Sequence, residues 1–86
     1  MDTKIILGHI YRGRNGAIHR VINLDFDPTT TDDCRPVVTK VLSGPRETTN
    51  YFTEYGYEYY AIPGRPQVDG PCDLIEDITD TYAPAP

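Results

Sequence analysis

Tryptophan is absent from this 86-residue sequence, methionine occurs once, and phenylalanine, cysteine and histidine occur twice each. Hydrophobic residues make up 38% of the chain, against about 45–50% in an ordinary globular domain, so any core is thin. Leu, Ile, Val and Phe number 19 of the 86 residues. That is just above the roughly 20% below which a charged chain stays unfolded, and it predicts one small folded domain with no room for a second. No run approaches the roughly 18 apolar residues of a membrane span. Met1-Asp2-Thr3-Lys4 precedes only three apolar residues, too few for an export signal, so a soluble cytoplasmic protein without a membrane partner is expected.

The scarce reactive residues exclude further classes. Cys34 and Cys72 lie 38 positions apart, and in a reducing compartment they read as free thiols. With His9 and His19 they lack the close pairs of a zinc finger, so no metal site is assigned. Asp25, Asp27, Asp32 and Asp33 resemble an oxygen-ligand cluster but lack the glycine and terminal Glu of a calcium loop, and read as an acidic loop. No Gly-Lys-Ser/Thr and no dinucleotide fingerprint occurs, and neither histidine has a recognisable nucleophile context. No cofactor and no enzymatic activity is expected.

Charge is abundant and unevenly placed. Residues 1–46 sum to +2, whereas residues 47–86, with eight acids against Arg65 alone, sum to −7. The acidic half disfavours nucleic acid and suits a basic partner; the plain alternative is a solvated acidic face that confers solubility.

Hydrophobic patterning predicts a mainly β chain. Lys4 to Tyr11 is rich in β-branched and aromatic residues and stops at Asn15-Gly16, the pair of a type I′ hairpin; Ala17 to Asp25 returns, its apolar face broken by Arg20. Residues 26–35 read as a loop, and Pro36 to Leu42 as the third strand. Thr49 to Tyr55 reads as one or two helical turns ended by Gly56, and Tyr57 to Ile62 as the fourth strand. Residues 63–86 hold five of the eight prolines and a charge of −4. They read as an acidic tail, with a short docking helix at 73–79 capped by Asp73 and disorder beyond Asp80. Residues 1–62 then make a small antiparallel SH3-like barrel of four to five strands with one helical turn.

The series Tyr11-Arg12-x-Arg14-Asn15-Gly16, Arg20-Val21-Ile22, Val41-Leu42-Ser43-Gly44 and Thr48-Thr49-x-x-Phe52-x-x-Tyr55 resembles a class of short uncharacterised accessory proteins of tailed bacteriophages and prophages, in which a YRxRDG, VLSG and TTxxFxxW pattern recurs. The resemblance covers about residues 8–60. Asn15 stands where that pattern has Asp, and Tyr55 where it has Trp. It implies the same small β-barrel and a phage or prophage origin. By analogy with other small phage genes, it also implies an inhibitor of host machinery of the anti-defence or anti-CRISPR type.

Seven tyrosines, five of them at Tyr51, Tyr55, Tyr57, Tyr59 and Tyr60, are the least ordinary feature. Alternation predicts Tyr57 and Tyr59 in the core and Tyr55 and Tyr60 at the surface. Tyr51, Glu54, Tyr55, Glu58 and Tyr60 then form a candidate surface for a host protein with a basic face, through cation–π contact and carboxylate pairing. The alternative is a nucleic-acid-binding barrel in which Lys4, Arg12, Arg14 and Arg20 contact phosphates while Tyr11 stacks on a base. Against it stands a hairpin whose cations pair with the chain's own acids. A virion structural or homodimer-forming barrel is the third reading.

Overall fold

The computed structural model describes residues 3–24, 35–44 and 48–82. Cys34, the acids of the 26–35 loop together with Asp25, and the 83–86 terminus lie outside the described residues. Five short strands form one sheet: β1 (Ile10–Gly13), β2 (Ile18–Asn23), β3 (Val37–Val41), β4 (Thr49–Phe52) and β5 (Leu74–Asp77). Their order is β4-β3-β2-β1-β5, with every pair antiparallel. No helix occurs among the described residues, and β4 and β5 stand at the two edges without pairing to each other.

One face of the sheet is the core. Ile5, Tyr11, Val21, Val37, Phe52 and Leu74 pack together there, with Leu24 half-buried against them. His19 and Thr39 are buried on the same face, joined by a 2.9 Å hydrogen bond between His19 Nδ1 and Thr39 Oγ1. The His19 and Phe52 rings stand perpendicular to each other at a centroid distance of 5.4 Å. A chain with so few large aliphatics fills its interior with one tyrosine and one histidine, each given a polar partner; the Tyr11 hydroxyl accepts from the backbone N–H of Ile6 at 3.0 Å.

The first strand begins later than its composition predicts. At Ile6 to His9 the chain makes a turn closed by His9 N donating to Ile6 O at 3.2 Å, with Gly8 at φ 83°, so the β-branched run bends before β1 starts. The hairpin after β1 is also different in type. Gly13 N donates to Ala17 O at 2.8 Å and Gly16 N to Gly13 O at 2.9 Å, with positive φ at Gly16 alone. Asn15 needs no left-handed conformation in this three-residue loop, and its Oδ1 instead accepts from Ala17 N at 3.0 Å. The same loop recurs between Thr53 and Tyr57: Thr53 N donates to Tyr57 O at 2.8 Å and Gly56 N to Thr53 O at 2.9 Å, with Gly56 at φ 84°.

Three expected elements take other forms. Thr49 to Phe52, expected as helical, is β4, in register with β3 through Val37 opposite Phe52 and Thr39 opposite Asn50. One or two isolated helical turns are unstable alone, whereas β3 offers these residues a hydrogen-bonding edge and buries Phe52 to 1% exposure. Tyr57 to Ile62, expected as the fourth strand, contains no strand residue. The expected docking helix at 73–79 is instead β5, paired with β1 through Tyr11 opposite Asp77 and Arg12 opposite Glu76. Asp73 does cap, but it caps a turn: its carboxylate accepts from Gly70 N at 2.7 Å and Glu58 N at 2.8 Å.

Candidate functional site

The basic residues of the first hairpin meet the acidic residues of the C-terminal half. Pairing of β5 with β1 lays Arg12 against Glu76, and the same approach brings His9 Nδ1 to 2.8 Å from Asp77 Oδ2. Arg14 reaches Asp69 and Asp73 at 3.6 Å each and donates from Nε to Gly70 O at 3.1 Å. Lys4 stands 3.6 Å from Glu54. Lys4, Arg12 and Arg14 are therefore matched by acids of the C-terminal half, while the chain as a whole keeps a net charge of −5. Burial alone would raise the Asp77 carboxyl, but hydrogen bonds from Thr79 and His9 outweigh it and hold the group below its ordinary range.

Of the residues expected to contact nucleic acid, only Arg20 is exposed with no ion-pair partner among the described residues. Tyr11 is a core residue, 1% exposed, with its pKa raised chiefly by burial, and offers no ring for stacking. Its place in the interior follows from β1 alternation, which sends Tyr11 inward and Arg12 outward.

The candidate protein-binding residues sort into two cavities. Tyr51 and Glu58 line the first, of about 170 Å³, with Arg35, Asn50, Phe52 and Cys72. It lies along the edge strand β4, beside the residues that lead into β5. Its groups are engaged: the Glu58 carboxylate accepts from Cys72 N, and Arg35 Nη1 donates to Glu58 O at 2.7 Å. Burial raises the pKa of the free Cys72 thiol, and the nearby Glu58 and Asp73 carboxylates raise it further, so this sulfur is a poor nucleophile.

Glu54, Tyr55 and Tyr60 line the second cavity, of about 230 Å³, with Thr53, Ala61 and Gln67. The hairpin from Thr53 to Tyr57 presents Glu54 and Tyr55 at its tip. The opposing wall is held by Gln67, whose Nε2 donates to Tyr59 O at 2.8 Å and Val68 O at 3.1 Å. Tyr55 is 37% exposed, and Tyr59 and Tyr60 are each 48% exposed. The surface placement expected of Tyr55 and Tyr60 is observed. Tyr59 is not the core residue that strand alternation predicts, because the segment has no strand pleat to turn it inward. Sequence reasoning passes over Gln67 and gives Asp73 the wrong element to cap, because Tyr59 O and Glu58 N, the partners that set their roles, lie well away in sequence. The Gly70-x-x-Asp73 spacing was the available signal for the second.

Among the described residues no group of three His, Cys, Asp or Glu could hold a metal ion, and no helix is long and apolar enough to cross a membrane. Comparison with protein-family models, with curated proteins and with solved structures finds no match to the chain.

Proposed function

We propose that the chain is a small cytoplasmic binding module that engages a partner protein with the surface around Tyr55, Tyr59 and Tyr60, and acts by occlusion rather than catalysis. The observation that carries this reading is that two substantially exposed tyrosines, Tyr55 and Tyr60, line one open cavity, with the equally exposed Tyr59 next to them in sequence, whereas Tyr11 and Phe52 fill the thin core. Tyrosine supplies large contact area at low entropic cost and is enriched at the centres of protein interfaces. Glu54 adds a carboxylate to the same surface, which favours a basic partner face. The resemblance to phage and prophage accessory proteins supports a host protein as the partner and an anti-defence or anti-CRISPR type of inhibition. The strand order β4-β3-β2-β1-β5 supports an SH3-like arrangement.

The nucleic-acid reading is the weaker of the two, because its stacking residue lies in the core and Lys4, Arg12 and Arg14 face the chain's own acids. The test is capture of partners from bacterial host lysate, with and without nuclease, by the wild-type chain and by Tyr55→Ala/Tyr60→Ala. A protein retained after nuclease treatment and lost with the double variant supports the module. Equal capture by both forms, or capture abolished by nuclease, contradicts it.

A further inference from the structure

We infer that the cavity between Glu54, Tyr55 and Tyr60 receives one arginine side chain of the partner, and that Lys4 is the internal cation which that arginine displaces from Glu54. The inference rests on the reading of the chain as a protein-binding module and names the group recognised.

The size of the cavity comes first. At about 230 Å³ it falls below the roughly 300–1,000 Å³ of sites for drug-sized ligands and suits a single side chain. Its chemistry comes next. Two partly exposed tyrosines line it, and a phenol ring attracts a cation, while the carboxylate of Glu54 in the same lining disfavours an anion. A planar guanidinium satisfies both at once, stacking on a ring while its fork of N–H donors meets the carboxylate, as a compact ammonium cannot.

Glu54 is also the shared wall of a third cavity, of about 160 Å³, lined by Lys4, Ile5, Leu24, Pro36 and Val37. From that side Lys4 Nζ approaches Glu54 Oε2 to 3.6 Å, with side-chain exposures of 68% and 56%. An ion pair this exposed is weak and readily exchanged. The backbone beneath Glu54 is fixed, because Ile5 N donates to Glu54 O at 2.9 Å and the loop is closed at Thr53. The carboxylate can therefore turn from one cavity to the other without moving its backbone, and a pre-formed wall spares the ordering that weakens binding.

The test is a titration of the ¹⁵N-labelled chain with N-acetyl-arginine amide, using N-acetyl-citrulline amide as the neutral isostere. The expected result is a saturable shift of the Thr53, Glu54, Tyr55, Ala61 and Gln67 amides with the arginine compound only. Glu54→Gln should weaken it about tenfold, and Lys4→Ala should tighten it about two- to fivefold, the range for release of an exposed pair. Both residues are exposed, and unchanged amide dispersion elsewhere verifies the fold of each variant. Absence of a local shift, an equal response to citrulline, or full binding by Glu54→Gln overturns the inference. If partner capture depends on Tyr55 and Tyr60 while the arginine titration is silent, the module stands and the arginine site falls. If arginine binds as expected while capture ignores the tyrosines, the module reading fails instead.

Discussion

A histidine 2% exposed, whose Nε2 has no hydrogen-bond partner among the described residues, is in a setting that favours the neutral ring. Burial lowers the pKa of His19 below the ordinary value of about 6.5. As pH falls below about 6.5 the unfolded chain binds a proton that the folded chain refuses, so stability is full above that pH and declines towards the lowered folded value. Urea unfolding at pH 7.5 and pH 5 should show the loss, and His19→Gln, though less stable at neutral pH, should flatten it. Asp77, whose pKa is lowered, contributes in a separate window: its stabilisation is present above the ordinary carboxylate range of about 4 and is lost only as pH falls below it. Two glycines give a second residue-scale contrast. A Cβ on Gly16, at φ 89°, meets nothing within 4 Å, whereas one on Gly56, at φ 84°, would stand 3.0 Å from Leu74 Cβ and 3.1 Å from Ile5 Cδ1. Gly16→Ala should cost about 1 kcal/mol from backbone conformation alone, and Gly56→Ala about 2–4 kcal/mol because crowding of the core is added. Chemical denaturation of the two variants checks the order.

Among the elements, β2 and β3 were legible because six- and five-residue runs rich in β-branched residues have little competition from helix. β4 and β5 were not, since four residues carry too little periodicity to separate strand from helix, and each is settled by the strand already waiting beside it. β5 carries the larger consequence. Residues 63–86 read as a tail from their prolines and acids, yet Leu74 within them is wholly buried against Ile5, Tyr11 and Phe52. Leu74→Ala should destabilise the chain by about 2–5 kcal/mol, the range for a buried leucine in a thin core. A loss under 1 kcal/mol would mean that β5 is dispensable. Arg12→Ala, by contrast, removes an ion pair with side chains about half exposed, 47% and 51%. It should change stability by no more than about 1 kcal/mol in the same assay.

Across the whole molecule, the division of charge into a +2 half and a −7 half suggested two separate surfaces, and the fold brings their groups together. The exposure of Tyr55 and Tyr60 was legible in the sequence. The division of the tyrosine cluster into two cavities was not, because that depends on the crossing of residues 57–73 between β4 and β5, a path set by Asp73 and Gln67 rather than by any local pattern. The central claim, that the Tyr55–Tyr60 surface binds a partner protein, is tested most directly by the association and dissociation rates of the captured partner with the wild type, with Tyr55→Ala/Tyr60→Ala, and with Arg12→Ala/Arg14→Ala. Loss of the two rings should raise the dissociation rate at least about tenfold and leave the association rate nearly unchanged, as expected for anchors at the centre of an interface. Loss of the two arginines should alter neither. Wild-type rates in the tyrosine variant, with binding abolished in the arginine variant, would contradict the claim and move the function to the first hairpin.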